Sequence, residues 1–428
     1  MVNGPSGTAR TAAMPPRDAN ASPRDAEAMR SKTGDSGVAA SARAGEKVAA
    51  SASVGGLAEA AEGTSGTGAV AQAPAHSVYG ALDLGTNNCR LLIAKPSRRG
   101  FVVIDAFSRI IRLGEGLLSS GRLSDAAMKR TVDALRVCAD KMRRRGVTRS
   151  GLIATEACRI ATNSAEFIDR VHNETGLKLE IVGRETEAKL AVSGCASLLD
   201  QNCDWALVFD IGGGSSELIW LDLARLGRQR RRSVHDRVGV QSAIAGWTSL
   251  PIGVVNLAER HGGRDVTREG YEAMVDDVMV ALNGFESQHR FGDRIAGGRA
   301  HFLGTSGTVT TISGIHLKLP TYERSRVDGS WLTAHEARTV SDDLIAMSYA
   351  ERVAQPCIGH ERADLVLAGC AILEALLRIW PCQRLRVADR GLREGILTSL
   401  MAEDGHERRG APRPPRRRHR PPAHRGRG

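Results

Sequence analysis

A glycine-rich loop carries the residues best suited to chemistry in this sequence. It reads DIGGGSSE, from Asp210 to Glu217, and lies between two apolar runs. Three consecutive glycines indicate that the backbone must approach another group closely. Successive N–H groups in such a turn can bind phosphate oxygens, and a neighbouring carboxylate can hold a cation. The loop therefore predicts a site for a phosphate group together with a divalent cation.

A second loop of the same design lies earlier in the chain. Residues 78–94 read VYGALDLGTNNCRLLIA, with Asp83 where the later loop has Asp210. In both places the chain returns as an apolar strand. That pattern predicts a hairpin, whereas a P-loop or a dinucleotide-binding loop leads into a helix. Two ordinary tight turns with Asp as a turn former are the alternative, but the matched pair favours one phosphate-binding device used twice.

A third glycine loop supports this interpretation. Residues 302–313 read FLGTSGTVTTIS, a strand end followed by a predicted helix. The free N–H groups at a helix N-terminus can bind an anion. The alternative is a Ser/Thr cap after a glycine turn, and by itself that alternative is favoured. Ser306, Gly307 and Thr308 are therefore candidate phosphate-binding residues only in combination with the two hairpins.

The segment between the hairpins predicts a β-α-β unit. A strand ends near Thr155, and the helix Asn163–His172 follows, with Asn163 and Glu166 at capping-box spacing. The run Leu177–Val182 then alternates as a strand. Units of this kind build parallel sheets, whose ligands bind at the carboxyl ends of the strands.

Polar residues follow both strands of that unit. Arg159 comes shortly after the first strand, and its guanidinium fork suits a chain of charged phosphates. Glu185 and Glu187 follow the second strand at the start of a predicted helix. A carboxylate at a helix start is often there only because the helix dipole favours it. That simpler explanation applies to at least one of the two glutamates.

The composition is that of a globular protein with polar ends. Of the 428 residues, 42% are apolar and 25% are charged, which is ordinary for a folded chain. Residues 1–76 and 403–428 contain few large apolar residues and are predicted to be disordered. The roughly 330 residues between them exceed one usual core. We therefore expect two domains, one at 77–190 joined by 390–402, the other at 191–389.

The net charge of +11 does not by itself indicate a nucleic-acid-binding protein. The excess arginine lies in the loop 228–237 and the tail 406–428, without a zinc-finger or RNA-recognition motif. Binding of polyanions through the tail alone is the remaining alternative. No apolar run reaches the length of a membrane span, and the eight cysteines form no C-x-x-C pair. These features predict a cytoplasmic protein with neither a membrane segment nor structural zinc.

The motifs together resemble a known group of proteins. Paired Asp-Gly hairpins facing each other across two domains are similar to those of the acetate kinase/actin/hexokinase superfamily. More closely, nine segments in order resemble the exopolyphosphatase and guanosine pentaphosphate phosphohydrolase family. They extend over 77–402 and include ATEACR (154–159), RETEAKL (184–190) and VFDIGGGSSEL (208–218). The resemblance implies an α/β fold of two actin-like (ribonuclease H-like) domains, with mixed sheets flanked by helices and the active site in the cleft between them.

The resemblance also implies a role for each candidate residue. Glu187 corresponds to the base that activates water, and Arg159 to the arginine at the terminal phosphate. Asp210 and Glu217 correspond to the residues that hold Mg²⁺. Ser216 departs from the usual threonine but keeps a hydroxyl. The expected phosphate-binding residues come from the three loops: Asp83, Gly85, Thr86, Asn87, Gly212, Gly213, Gly214, Ser215, Ser306, Gly307 and Thr308.

The implied activity is Mg²⁺-dependent removal of the terminal phosphate from inorganic polyphosphate or guanosine pentaphosphate. The sequence leaves the choice of substrate open, and it leaves a homodimer open. An acyl- or sugar-type kinase of the same superfamily is one alternative, which activity with water as the sole acceptor would exclude. A non-catalytic nucleotide or polyphosphate sensor is another, although the presence of both Glu187 and Glu217 argues against it.

Overall fold

The computed structural model describes residues 77–97, 100–226 and 239–406. Three segments lie outside the described residues: the extension 1–76 and the tail beyond 406, which are predicted to be disordered, and the basic loop 228–237. Within the described ranges, no helix is both long and apolar enough to cross a membrane.

Sheet one is built from the first part of the chain and contains five strands in the order β3-β2-β1-β4-β5. The first three strands pair antiparallel, whereas β4 and β5 run parallel to β1. The sheet is therefore mixed. Its strands are β1 Tyr79–Leu84, β2 Asn88–Ser97, β3 Gly100–Ile110, β4 Arg149–Ala154 and β5 Glu180–Ile181.

Sheet two repeats this arrangement. Its order is β10-β11-β9-β6-β7-β8, in which β8, β7, β6 and β9 have the places of β3, β2, β1 and β4. Each sheet thus contains one hairpin, as the duplicated loop motif predicts, and a strand parallel to the first strand of that hairpin. The strands are β6 Trp205–Ile211, β7 Ser216–Asp222, β8 Ile244–Leu250, β9 Ala300–Thr305, β10 Trp331–Thr333 and β11 Arg384–Ala388.

Helices flank both sheets, so the predicted α/β class with two mixed sheets is confirmed. Short 3-10 turns lie at Ala196–Leu198, Leu223–Leu226 and Gly239–Ala243. The helices are α1 Leu117–Ser120, α2 Asp125–Arg144, α3 Glu156–Ile160, α4 Ser164–Thr175, α5 Arg184–Cys195, α6 Val254–His261, α7 Arg268–His289, α8 Phe291–Ile295, α9 Ser306–His316, α10 Arg324–Val327, α11 Ala334–Ala346, α12 Tyr349–Ala354, α13 Val366–Ile379 and α14 Leu392–Glu403.

The strands beside the glycine loops are apolar on both faces because both faces are covered. In β6, Leu207 and Phe209 pack into one core, whereas Ala206 and Val208 pack into another. This burial explains the uninterrupted apolar run that precedes the second glycine loop.

The start of α4 differs from the predicted capping box. Asn163 makes no side-chain cap for this helix, which begins at Ser164. Its amide instead makes two hydrogen bonds to the backbone of Leu123. Oδ1 accepts from Leu123 N at 2.8 Å, and Nδ2 donates to Leu123 O at 3.0 Å. A partner forty residues away in sequence has therefore replaced the local one.

The second strand of the β-α-β unit is shorter than predicted. Only Glu180–Ile181 pairs with β4, in parallel orientation. Leu177 and Leu179 are buried in the core of sheet one without joining the ladder. The alternation of this segment therefore reflects burial of its apolar side chains more than strand pairing.

Two helices, α5 and α14, lie where the chain passes from one sheet to the other. The helix α5 leads from sheet one towards sheet two, and α14 returns from β11 to pack on β1, β4 and α5. The chain thus passes twice between the sheets at nearly the same place. Because α5 and α14 contact both halves, the domain boundaries near residues 190 and 390 stay a prediction.

Candidate active site

The two glycine loops have the same internal structure. The first glycine loop, 85–87, joins β1 to β2, and the second glycine loop, 212–215, joins β6 to β7. Each is closed by the N–H of its first glycine, which donates to a carbonyl three residues later. Gly85 N donates to Asn88 O at 2.9 Å, and Gly212 N donates to Ser215 O at 2.9 Å. Both loops are β-hairpin turns, as the sequence predicts.

The carbonyl groups of the first glycine loop are bound on its outer side. Thr86 O accepts from Gly114 N at 2.9 Å, and Asn87 O accepts from Ile111 N at 2.8 Å. Among the described residues, the N–H groups of Thr86 and Asn87 donate to no backbone carbonyl. They are available to a ligand in the cleft.

The second glycine loop is held in the same way, but by a helix. Gly212 O and Gly213 O accept from Val254 N at 2.9 Å and Val255 N at 2.8 Å, at the start of α6. In the part of the chain that the structure describes, the N–H groups of Gly213 and Gly214 donate to no backbone carbonyl. Successive free N–H groups form an anion-binding concavity.

The glycines are needed because the two loops touch each other. A Cβ on Gly213 would lie 3.1 Å from Asn87 N, and a Cβ on Gly214 would lie 2.7 Å from Thr86 Oγ1. These distances are shorter than van der Waals contact. The close approach indicated by the triple glycine is therefore an approach to the opposing loop, and it brings both sets of N–H groups to one place.

Gly253, before α6, supports the same loop from behind, and this yields a prediction. A Cβ there would lie 2.6 Å from Gly214 N and closer still to the Gly213 carbonyl group. We expect Gly253→Ala to lower the free energy of unfolding by roughly 1–3 kcal/mol, the usual cost of overpacking. Gly284→Ala is the matched control, because that glycine lies in α7 with open space around it. Equal stability of both variants in urea unfolding would contradict this packing.

The third loop places a helix N-terminus in the same cleft. The strand β9 ends at Thr305, whose hydroxyl donates to Arg390 O at 2.8 Å instead of capping α9. The first helical residue, Ser306, has a φ of 80°. A non-glycine residue in this conformation is strained, and such strain clusters at ligand-binding sites. The structure thus joins the third loop to the two hairpins.

The cleft between the sheets collects almost all of the predicted site residues. The three loops contribute the walls, and carboxylates from both sheets contribute the charge. The predicted residues that line it are Asp83, Gly85, Thr86, Asn87, Glu187, Asp210, Gly212, Gly213, Gly214, Ser215, Glu217, Ser306, Gly307 and Thr308.

Carboxylates crowd the cleft and raise one another's pKa. Asp210 lies directly opposite Glu217 across the β6–β7 pair. Burial raises the pKa of Asp210 to about 6, and the charge of Asp83 adds to the effect. Burial raises the pKa of Glu217 to about 7, and the charge of Asp210 adds to it. Two hydroxyls oppose this by donating to Glu217 Oε1, that of Ser215 at 2.7 Å and that of Ser249 at 3.0 Å.

These residues fit a bound Mg²⁺. Asp210 and Glu217 offer hard oxygen ligands, and the repulsion between them favours a cation. The Oδ1 atoms of Asn87 and Asn88 are buried in the same cleft without a hydrogen-bond partner among the described residues. No three His, Cys, Asp or Glu side chains in the described ranges are arranged to hold one ion. Mg²⁺ usually takes one or two carboxylates and completes its shell with waters and substrate phosphates, and its binding at Asp210 and Glu217 stays a prediction.

The crowded carboxylates predict that the metal-free protein loses stability as the pH rises. Their folded-state pKa values lie above the ordinary value, so they stabilise the fold below about pH 4. This contribution is lost as the pH rises through about 6 for Asp210 and about 7 for Glu217. In a chelator, we expect the free energy of unfolding to fall between pH 5 and pH 8, by roughly 2–3 kcal/mol more in the wild type than in Glu217→Gln. Parallel urea-unfolding profiles would contradict the raised pKa of Glu217.

Glu187 reaches the cleft from α5 and is bound by Arg159. Burial raises the pKa of Glu187 well above its ordinary value, and the charge of Glu217 adds to this, whereas Arg159 opposes it. Arg159 Nη1 donates to Glu187 Oε2 at 2.7 Å and to Val182 O at 2.8 Å. Arg159 therefore holds Glu187 through Nη1. Its direct contact with a terminal phosphate stays a prediction.

Three charged residues that the site prediction omitted also line the cleft: Arg90, Glu156 and Arg362. Arg90 lies opposite Asp83 in the β1–β2 ladder, just as Glu217 lies opposite Asp210 in the β6–β7 ladder. This register could have been found from the repeated loop motif. Glu156 and Arg362 carried no such signal, because their nearness to the loops depends on the tertiary fold.

Comparison with known proteins finds solved structures similar to this chain. A crystal structure of an exopolyphosphatase-like protein is 27% identical, with a TM-score of 0.67, over 76% of this chain and 97% of that chain. The Ppx/GppA family member from Aquifex aeolicus is 27% identical, with a TM-score of 0.60, over 77% and 99%. An exopolyphosphatase from Cytophaga hutchinsonii shares the fold at 22% identity, with a TM-score of 0.66, over 77% and 98%.

The sequence itself matches the same group. Residues 92–404 match the Ppx/GppA phosphatase family. The matched region runs from β2 to α14 and includes Glu187 and the whole second glycine loop. The resemblance to the exopolyphosphatase and guanosine pentaphosphate phosphohydrolase family is thereby confirmed: the chain belongs to the Ppx/GppA phosphatase family.

Proposed function

We propose that the protein is a phosphohydrolase that removes the terminal phosphate from a polyphosphate chain, with water as the acceptor. The observation that carries the proposal is the convergence of two facing hairpin loops and a partly buried glutamate in one cleft. The loops would present their N–H groups to an anion, and Glu187 lines the same cleft, where it would act as the base. Membership of the family and the likeness to an exopolyphosphatase-like protein support a polyphosphate as the substrate.

The N–H groups of the two glycine loops would bind the terminal phosphoryl group from opposite sides. Donors that are already oriented cost no reorganisation during the reaction, so they stabilise developing charge efficiently. The uncapped N-terminus of α9 would add donors from a third direction. Most of the catalysis in phosphoryl transfer consists of such positioning and charge stabilisation.

Glu187 would accept the proton of the attacking water. An ordinary glutamate is a weak base at neutral pH, so the raised pKa of Glu187 makes it a better one. The water oxygen then forms a bond to the terminal phosphorus, and the bond to the bridging oxygen breaks. Orthophosphate and a chain shorter by one phosphate leave.

Asp210 and Glu217 would hold Mg²⁺ beside the second glycine loop. When bound, the ion would neutralise charge on the phosphate oxygens. Glu217 is fixed for this task by the Ser215 and Ser249 hydroxyls, which bind one of its oxygens and leave the other free of side-chain donors within the described residues.

Phosphate release by the purified protein tests the proposal. Short polyphosphate, long polyphosphate and guanosine pentaphosphate are each offered with Mg²⁺ and with no other acceptor. We expect orthophosphate from at least one of them, and the relative rates identify the preferred substrate. A protein that consumes ATP only when acetate or a sugar is added would instead be a kinase. Tight binding without turnover would identify a sensor.

A further inference from the structure

A buried carboxylate in the wall of the cleft has no role in the chemistry described above. Glu156, the first residue of α3, is 3% exposed. Arg184, the first residue of α5, binds it with two parallel hydrogen bonds, from Nη2 to Oε1 at 2.6 Å and from Nε to Oε2 at 3.2 Å. Arg159 binds the same carboxylate from Nε at 3.0 Å. One carboxylate thus joins two guanidinium groups.

Arg159 is in turn shared between two carboxylates. Its Nε edge binds Glu156, and its Nη1 binds both Glu187 Oε2 and Val182 O. The second terminal nitrogen, Nη2, lies 2.8 Å from Glu156 Oε2 in an ion pair but has no hydrogen-bond partner among the described residues. Contacts on both sides fix the rotation of the guanidinium plane. The direction in which Arg159 presents Nη1 to Glu187 therefore depends on Glu156.

Glu156 also contacts the second glycine loop. A Cβ placed on Gly214 would lie 3.3 Å from Glu156 Cγ. The side chain thus packs between the loop that would bind the phosphoryl group and the arginine that holds Glu187. A shift of Glu156 would change the distance between the base and the phosphoryl group, on which the rate of an in-line attack depends strongly.

Charge explains why two arginines bind Glu156. A buried carboxylate with too few partners is costly. Burial acts to raise the pKa of Glu156, but hydrogen bonds from Arg184 and Arg159 lower it overall, so it stays ionised. If Arg184 were removed, Glu156 would rely on Arg159 among its described partners. It would then compete with Glu187 for that arginine.

We infer that Glu156 and Arg184 are positioning residues, which act as a pair to orient Arg159 and thereby to fix Glu187 beside the reacting phosphoryl group. The inference rests on the proposed function, in which Glu187 is the base. It adds to that function two residues that do not have to touch the substrate. The geometry ties α3, α5 and the second glycine loop together at one buried carboxylate.

Kinetics of Glu156→Gln, Arg184→Gln and the double variant test this inference. We expect each single variant to lower kcat about tenfold to a hundredfold, the usual effect of a displaced reacting group, with KM changed by less than about twofold. Because the two residues act as a unit, the double variant loses no more than the worse single variant. Glu185→Gln is the matched control, since that carboxylate is exposed on α5 and pairs only with Lys189 among the described residues.

A second set of variants, built on Glu187→Gln, separates a positioning role from general damage to the fold. In Glu187→Gln, adding Glu156→Gln should lower the residual rate no further, because the base that it orients is absent. A further loss of similar size would overturn the inference, as would wild-type kcat in both single variants. If Glu156→Gln does not fold, Arg184→Gln carries the test alone, since its side chain is 40% exposed. Absence of phosphate release by the wild type would overturn the proposed function as well.

Discussion

Glu187→Gln is expected to lower the turnover number at least about a hundredfold, the usual contribution of a general base. The amide has the shape of the carboxylate and can still accept from Arg159, so the cleft keeps its geometry. It cannot take a proton from water. The variant loses the ion pair between Glu187 and Arg159, but it also loses the repulsion between Glu187 and Glu217. Because these two effects oppose each other, the melting temperature should barely change. Steady-state phosphate release at saturating substrate measures the effect.

Glu185→Gln is the control for that experiment. It removes a carboxylate from the same turn of α5, but Glu185 is exposed and ion-paired with Lys189 at 2.7 Å. We expect wild-type turnover from the control. Near-wild-type turnover from Glu187→Gln would mean that Glu187 is only a carboxylate favoured at the start of a helix, and the mechanism would be wrong.

Removal of Mg²⁺ is expected to lower phosphate release at least about a hundredfold, comparable to the loss of a main source of charge stabilisation. Glu217→Gln and Asp210→Asn should raise the Mg²⁺ concentration for half-maximal rate about tenfold or more. The reason is that each change removes one hard oxygen ligand beside the second glycine loop. Titration of Mg²⁺ at fixed substrate gives both quantities.

Asp222→Asn is the matched control for the metal experiment. Asp222 ends the same strand β7, but it lies at the end away from the cleft and pairs with Arg225 at 3.2 Å. Its Mg²⁺ dependence should equal that of the wild type. Full activity in excess chelator would show that phosphate release does not need Mg²⁺.

The sequence predicted the two hairpins well because their signals are local. Asp-x-Gly between two apolar runs determines the turn, and the paired runs determine the strands. The duplication of this pattern anticipated one hairpin in each half of the core, and the matching strand orders of the two sheets emerged only from the structure. What the pattern could not give is the contact between Gly214 and Thr86, because it joins loops that are far apart in the chain.

The surroundings of Glu187 show where sequence reasoning ends. The resemblance assigned Glu187 to the water and Arg159 to the terminal phosphate, and the structure adds that the Arg159 guanidinium binds both Glu187 and Glu156. No spacing rule connects residue 156 with residue 184, since the topology of sheet one brings α3 and α5 together. Asn163 illustrates the same point, because its side chain accepts a hydrogen bond from the backbone of Leu123, forty residues away, in place of capping its own helix.

The most direct test of the central claim is hydrolysis of short polyphosphate in water enriched in heavy oxygen, followed by mass spectrometry of the released orthophosphate. Attack of a Glu187-activated water on the terminal phosphorus predicts one heavy oxygen atom in each phosphate released in the first turnover. It also predicts that Glu187→Gln loses this labelled product in proportion to its rate. Unlabelled phosphate, or release that requires an added acceptor, would contradict the account.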